Sequence, residues 1–244
     1  MSHRVYISAS TQKENIGVLN YGTEQDRMQY LADRIKFWLE TQKDKFIVFR
    51  NQSGWTLEKT VNDCNNLACE LFLDNHTDAG PIEKTAGDGG AEGTSAFYHI
   101  GSTNGQRLAE CIYNRIAPLS PGQDRKVKPD TVLYQSGLYV LRKTIPPAAL
   151  IENFFHTNET EVEDYLSRIE VYAKATAQGI CDYVGEKWQE PTNVKLQTVE
   201  NLINKMFEDH FLTDKELWTK VLLGKVPANP AFLQIIFNRV VNKF

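Results

Sequence analysis

Three ionisable side chains occupy positions in the sequence where they could carry out chemistry. Glu152 interrupts "AALIENFF" (148–155), an apolar stretch of strand character in which a carboxylate needs a compensating partner. Glu24 follows "YGT", and His76 follows the apolar "LFLDN". An imidazole and a carboxylate can bind a zinc ion while a further carboxylate moves protons, so this set is typical of metal-assisted hydrolysis.

Two of these residues have a plainer explanation. A histidine at a strand end is often only a hydrogen-bonded side chain, and an acid in the first turn of a helix, as Glu24 would be, is favoured by the helix dipole. Neither capping nor solvation accounts for Glu152 inside an apolar strand. Glu152 is therefore the strongest candidate for chemistry.

The elements that must position these residues alternate along the first 188 residues. The patterns predict helices over 23–42, 56–67, 104–119 and 159–188, the last with a break near Gly179, and strands over 4–10, 45–51, 69–76, 95–100, 137–144 and 148–155. Such alternation predicts an α/β fold with a mixed, mostly parallel sheet and helices on both faces. Ligands of such sheets gather at the carboxyl ends of the strands.

The pattern changes after residue 188. "QEPTNV" (189–194) is typical of a linker, and three short amphipathic helices follow within 195–244. We therefore predict a catalytic domain at 1–188, a linker at 189–194 and a small helical domain at 195–244. The last could bind the target surface or pair two subunits as a homodimer.

The composition excludes several classes of protein. The chain has 244 residues, 41% of them hydrophobic and 24% charged, with a net charge of -4 and a mean hydropathy of -0.42. We expect no membrane insertion and no nucleic-acid binding, because the first needs a long apolar run and the second clustered positive charge. The four cysteines form no C-x-x-C pair, which argues against a cysteine zinc site. No signal peptide is recognisable at the amino terminus, so we expect synthesis in the cytoplasm.

Four sequence blocks then resemble a known family. They are "NYGTEQDRMQYLADRIKFWLE", "LFLDNHTDAG", "AEGTSAFYH" and "SGLYVLRKTIPPAALIENFFHTNETEVE". In order and spacing they are similar to the zinc-dependent N-acetylmuramoyl-L-alanine amidases, a group that includes sporulation, autolytic and phage-lysin enzymes. The resemblance covers about residues 4 to 188, and the last block is the most specific. It implies a zinc-dependent phosphorylase/hydrolase-like fold.

The resemblance also implies roles for individual residues. Glu24 and His76 match two ligands of a Zn²⁺ cofactor, and Glu152 matches the catalytic glutamate. The implied substrate is bacterial cell-wall peptidoglycan, cut at the amide between N-acetylmuramic acid and L-alanine. Asn75 and His156 are candidates for substrate contact. An enzyme of this kind without a signal peptide would act on the wall after release from the cell.

One position departs from the family pattern. The family's first zinc ligand is a histidine in a Gly-His-Gly turn after the first strand, where this chain has Thr11 followed by Gln12. Gln12 could complete the site through its amide oxygen, although such an oxygen binds zinc less tightly than imidazole does. Alternatively His99 or His156 completes the site, or the site is weakened or lost. We favour Gln12 as the third ligand.

The departure leaves two other functions open. The chain could be an impaired homologue that binds peptidoglycan without cutting it. It could also be a related zinc carboxypeptidase or deacylase, whose products would differ.

Overall fold

The computed structural model describes residues 2–19, 21–80 and 91–191, and within them six strands form one sheet. The strands are β1 (His3–Ala9), β2 (Phe46–Arg50), β3 (Leu71–Asp78), β4 (Ser95–Tyr98), β5 (Val127–Pro129) and β6 (Ala148–Phe155). Their spatial order is β2-β1-β3-β6-β4-β5. All neighbours are parallel except β6 and β4, which are antiparallel, so the predicted mixed, mostly parallel sheet is confirmed.

Helices cover both faces of this sheet, also as predicted. The α-helices are α1 (Glu24–Glu40), α2 (Leu57–Asn66), α3 (Thr103–Ile116), α4 (Tyr139–Lys143) and α5 (Glu159–Val184). Residues of α1, α3 and α5 share one buried apolar cluster with one face of the sheet. Residues of α2 and α4 share a second cluster with the other face. Burial of both faces explains the nearly continuous apolar runs of the central strands.

The start of α1 follows directly from its sequence. Thr23 is the N-cap, and its hydroxyl accepts a hydrogen bond from the backbone N–H of Asp26 at 3.1 Å. The apolar residues at helical spacing are all buried, namely Met28, Leu31, Ile35 and Leu39. The cap therefore fixes the residue at which the helix begins, and this places Glu24 in its first turn.

Two predictions about the segment before β6 are wrong. Residues 137–144 do not form a strand, because α4 lies there. Val140 and Leu141 are adjacent and both buried, whereas adjacent residues of a strand point to opposite faces. Burial against α2 and β6 therefore overrides the strand preference of this segment. Residues 121–131, for which neither a strand nor a helix was predicted, contain the short edge strand β5.

The predicted break of the last helix near Gly179 is also wrong. The helix α5 continues through Gly179 and instead has its non-helical residue at Arg168 (φ -126°, ψ 18°). Gly179 lies where α5 crosses α3, and a Cβ built on it would come within 2.6 Å of the Cα of Ile112 and 2.9 Å of the carbonyl oxygen of Cys111. The glycine is needed for the close approach of two helices.

Gly179→Ala should therefore destabilise the protein. In a helix interior this change usually stabilises by about 0.5–1 kcal/mol, but here the methyl group meets backbone atoms that cannot move freely. We expect an overpacking cost of roughly 1–3 kcal/mol and a thermal unfolding midpoint lower by about 5 °C. The neighbouring Gln178→Ala, which is not at the crossing point, should leave the midpoint nearly unchanged. An increase in the midpoint for Gly179→Ala would contradict the inferred contact.

Some predictions lie outside the described residues. The three helices predicted within 195–244 are among them, and so are the roles suggested for those helices, including a homodimer. Most of the glycine-rich sequence at 80–94, which lies between two predicted strands, also falls there. Within residues 2–19, 21–80 and 91–191, no helix has the length and apolar character that crossing a bilayer requires.

Candidate active site

The pairing of β3 with β6 brings two of the predicted residues together. The two strands are parallel, and His76 is directly opposite Glu152 in their register. Their side chains line the same cavity, near the carboxyl ends of both strands. The register shifts between His76 and Asp78, so the site lies next to a local irregularity of the sheet.

Glu24 reaches the same place from the first turn of α1. Its side chain is fully buried, and its Oε1 is 2.9 Å from Nδ1 of His76. The backbone N–H of Thr77 donates to the same oxygen at 3.3 Å. The carboxylate is thus directed into the sheet, so the helix dipole alone does not explain its position.

Gln12 also contacts His76. Its Nε2 is 3.3 Å from Nδ1 of His76, while its Oε1 accepts a hydrogen bond of 2.7 Å from the amide of Asn15. The same Asn15 amide donates to Oε2 of Glu24, also at 2.7 Å. Asn15 therefore holds Gln12 and Glu24 beside each other, a role that its sequence context did not indicate.

The second nitrogen of the His76 ring faces another acid, Asp74. Nε2 of His76 is 3.2 Å from Oδ2 of Asp74, which is almost completely buried. The two residues are two apart in β3 and so lie on one face of the strand. A carboxylate on the far nitrogen orients a histidine ring and leaves the near nitrogen for a metal ion.

The charges of these groups are strongly coupled. Burial disfavours an imidazolium, but the carboxylates of Asp74 and Glu24 outweigh it and raise the pKa of His76 well above its usual value. Burial likewise works against a charged Glu24, yet its contacts with His76 and Asn15 lower its pKa. The two shifts have a common cause, since each ionised group is stabilised by the opposite charge of its neighbour.

Glu152 has a different environment from the other acids. Burial raises its pKa to about 8, His76 opposes this shift, and the nearby acids Asp78 and Glu24 add to it. Its Oε2 is buried and has no hydrogen-bond partner among the described residues. Glu152 is therefore a carboxyl group whose pKa lies close to neutrality and whose oxygen is not engaged by the fold.

The other candidate residues have partners outside this group. His99 pairs with Asp130, its Nδ1 being 2.9 Å from Oδ2. His156 is buried, with its Nδ1 3.0 Å from the hydroxyl of Thr77. Asn75 is fully buried and donates to the carbonyl of Ser8. None of the three lines the cavity that His76 and Glu152 share, and the substrate contacts suggested for Asn75 and His156 stay predictions.

That cavity has a volume of about 350 Å³ and two kinds of wall. Its polar side is formed by Gln12, Asn15, His76, Thr77, Asp78 and Glu152. Its apolar side is formed by Phe97, Leu133, Tyr134, Leu138 and Leu150. A cavity of this volume, lined by both apolar and polar side chains, is typical of a site that binds a small molecule or part of a larger one.

The donor atoms around His76 can be compared with the needs of a zinc ion. Among His, Cys, Asp and Glu in the described parts of the chain, no group of three is arranged to hold a metal. His76 and Glu24 supply one imidazole nitrogen and one carboxylate oxygen, and Gln12 supplies an amide. A half-turn of that amide would present its oxygen, because amide N and O are assigned only from their hydrogen bonds. The residues fit a zinc ion with two strong ligands and one weak ligand.

Comparison with known proteins agrees with the resemblance noted in the sequence. The sequence profile of the family described as N-acetylmuramoyl-L-alanine amidase matches residues 5–183. No curated protein matches the chain by sequence.

Solved structures of two amidases and of an endolysin domain share the fold. An N-acetylmuramoyl-L-alanine amidase from Clostridium difficile 630 has 21% identity and a TM-score of 0.64, over 77% of this chain and 99% of that one. The catalytic domain of CwlV, an amidase from Bacillus (Paenibacillus) polymyxa var. colistinus, has 21% identity and a TM-score of 0.63, over 76% and 99%. The catalytic domain of an endolysin that targets Clostridia difficile has 19% identity and a TM-score of 0.57, over 77% and 99%. Since the family profile matches most of the chain, including Glu24, His76 and Glu152, the chain belongs to the N-acetylmuramoyl-L-alanine amidase family.

Proposed function

We propose that this chain hydrolyses the amide bond between N-acetylmuramic acid and the L-alanine of the peptidoglycan stem peptide, with Glu152 as the general base and acid. The observation that carries the proposal is the position of Glu152, which faces His76 across the β3–β6 register with a buried, unpartnered oxygen. Burial of a carboxyl oxygen without a partner is costly, and a catalytic role accounts for it.

His76 and Glu24 would hold the zinc ion, with Gln12 as the weaker third ligand. When bound, zinc activates water as a nucleophile and polarises a carbonyl oxygen. Asp74 would keep the His76 ring in the orientation that presents Nδ1, and Asn15 would hold Glu24 by donating to its Oε2. These two contacts position the two strong ligands in advance, whereas Gln12 would exchange its bond from Asn15 for the metal ion.

Glu152 then has two steps to perform. It accepts a proton from the attacking water, and it donates that proton to the alanine nitrogen as the C–N bond breaks. The products are a lactyl carboxylate on the sugar and a free amino group on L-alanine. A pKa near neutrality suits both steps, since the group must take up and release a proton at similar cost.

The test uses purified protein and isolated cell walls. We expect about one zinc ion per chain, clearing of the wall suspension and the appearance of new L-alanine amino termini. Wall binding without zinc and without new amino termini would favour the impaired binding homologue. New products that lack L-alanine amino termini would favour a carboxypeptidase or deacylase. The proposal also includes release of the enzyme from the cell before it acts on the wall. Purified protein added to intact cells should lyse them, whereas the same protein produced inside the cells should not.

Asp74→Asn should weaken zinc binding without abolishing it. The amide keeps the shape of the side chain but removes the negative charge beside Nε2 of His76. Loss of such an outer partner typically costs about 10–100-fold in metal affinity, which competition with a chromogenic chelator measures directly. Asp63→Asn is the matched control, because that carboxylate accepts a hydrogen bond from Tyr6 on a different part of the sheet. Equal zinc affinity in Asp74→Asn and the unmodified protein would remove Asp74 from the site.

A further inference from the structure

An exposed apolar turn lies beside the candidate active site. After β5 the chain forms a short 3-10 turn, and Val132, Leu133 and Tyr134 are 57%, 47% and 62% exposed. Three consecutive large apolar side chains at the surface are unusual outside interaction sites. No covering element accounts for them within the part of the chain that the structure describes.

The turn is held rigidly by a buried acid. Asp130 is fully buried, and its carboxylate accepts hydrogen bonds from the backbone N–H groups of Ile100 at 3.2 Å and Leu138 at 2.9 Å. His99 approaches the same carboxylate at 2.9 Å. Gly137 has φ +71°, and a Cβ there would come within 2.5 Å of the carboxylate. A turn fixed in this way loses little entropy when a ligand packs against it.

The turn contributes to the wall of the catalytic cavity. Leu133, Tyr134 and Leu138 line the same space as His76 and Glu152. A substrate whose reacting bond reaches Glu152 therefore occupies a cavity that Leu133 and Tyr134 also line. Val132, in contrast, is equally exposed but does not line the cavity.

We infer that Leu133 and Tyr134 bind the sugar ring of the N-acetylmuramoyl group, and this inference rests on the proposed function. The scissile amide has a sugar on one side and a peptide on the other. The peptide carries carboxylates, whereas the described residues that line the cavity include no Lys or Arg, and its polar side contributes Asp78 and Glu152. A sugar ring has a face of apolar C–H groups and an acetamido methyl, which suit an aromatic face and a neighbouring leucine.

Binding is measured in the Glu152→Gln background, so that hydrolysis does not interfere. The probes are N-acetylmuramoyl-L-alanyl-D-isoglutamine and the same peptide with an N-lactoyl group in place of the sugar acid. We expect Tyr134→Ala to weaken binding of the sugar probe about tenfold, since truncation of a buried aromatic contact commonly has this effect. Tyr134→Phe, which keeps the aromatic ring, should bind the sugar probe as tightly as the parent does. The sugar-free probe should bind Tyr134→Ala and the parent equally, and Val132→Ala should bind both probes like the parent.

Three results would overturn the inference. The first is that Tyr134→Ala and Val132→Ala bind the sugar probe equally well. The second is that Tyr134→Ala loses the same affinity for both probes. The third is that the parent does not bind the sugar probe. The second would mean that the turn contacts the peptide. Hydrolysis of walls by the unmodified protein is scored separately, so failure of the proposed reaction is distinguished from failure of this assignment.

Discussion

Glu152→Gln should reduce hydrolysis of cell walls by about 10²–10⁴-fold while the protein keeps its zinc. The amide has the shape of the carboxyl group but cannot accept a proton from water or deliver it to the alanine nitrogen. Glu152 is not among the residues that contact Nδ1 of His76, so ligation should be unaffected. Release of L-alanine amino termini measures the rate, and metal analysis of the same sample measures the zinc.

The matched control for this variant is Glu163→Gln. Glu163 is exposed on α5 and does not line the cavity, so the same chemical change there should leave the rate unaltered. The fold of Glu152→Gln should also persist, because replacing a buried, partly unsatisfied carboxyl with a neutral amide introduces no new charge. A folded, zinc-loaded variant with the normal rate would show that another group transfers the proton.

The central part of the site could be predicted because its residue types conflict with their surroundings. Glu152 stands in an apolar strand, and only a partner or a function explains it. His76 ends the predicted strand 69–76, and apolar runs indicate a mostly parallel sheet whose ligands gather at the carboxyl ends of its strands. That β3 lies beside β6, with His76 opposite Glu152, is known only from the fold.

The supporting residues were harder to find, for two different reasons. Asp74 lies two residues before His76, and alternation along β3 already implies that both point to one face. Its proximity could therefore have been predicted. Asn15 lies in the irregular segment between β1 and α1, which has no periodicity that predicts a direction. Only the folded chain shows that it contacts both Gln12 and Glu24.

The errors in the fold have a common physical origin. In the segment "YVLRK" Tyr139 and Val140 favour strands, yet the segment forms α4, in which Val140 and Leu141 are buried together against α2 and β6. Gly179 was interpreted as a helix breaker, but it permits the contact between α5 and α3. In both cases tertiary packing decides the outcome, and single-sequence propensity does not contain that information.

His76→Ala should lose zinc almost completely, and activity with it. The imidazole is the strongest of the three donors, and the remaining carboxylate and amide oxygens bind zinc much more weakly. We expect the zinc content to fall from about one ion per chain to below about one tenth, measured by metal analysis after dialysis against zinc-free buffer. Wall clearing should fall by at least as much as Glu152→Gln reduces it, because both the nucleophile and its activation are lost.

The change also removes the positive partner of two buried acids, so its effect on folding must be separated from its effect on zinc. Glu24 and Asp74 would be left facing each other's charge across a vacant space, and removal of one partner of a buried pair typically costs about 3–5 kcal/mol. His76→Gln is therefore made in parallel, since its amide can still donate to one of the two carboxylates. His99→Ala serves as the control for removal of an imidazole, because His99 pairs with Asp130 and lies outside the cavity. If folded His76→Gln retained a full complement of zinc, or if His99→Ala lost it, the metal ion would have to be bound elsewhere and the assignment of His76 and Glu24 as its ligands would be wrong.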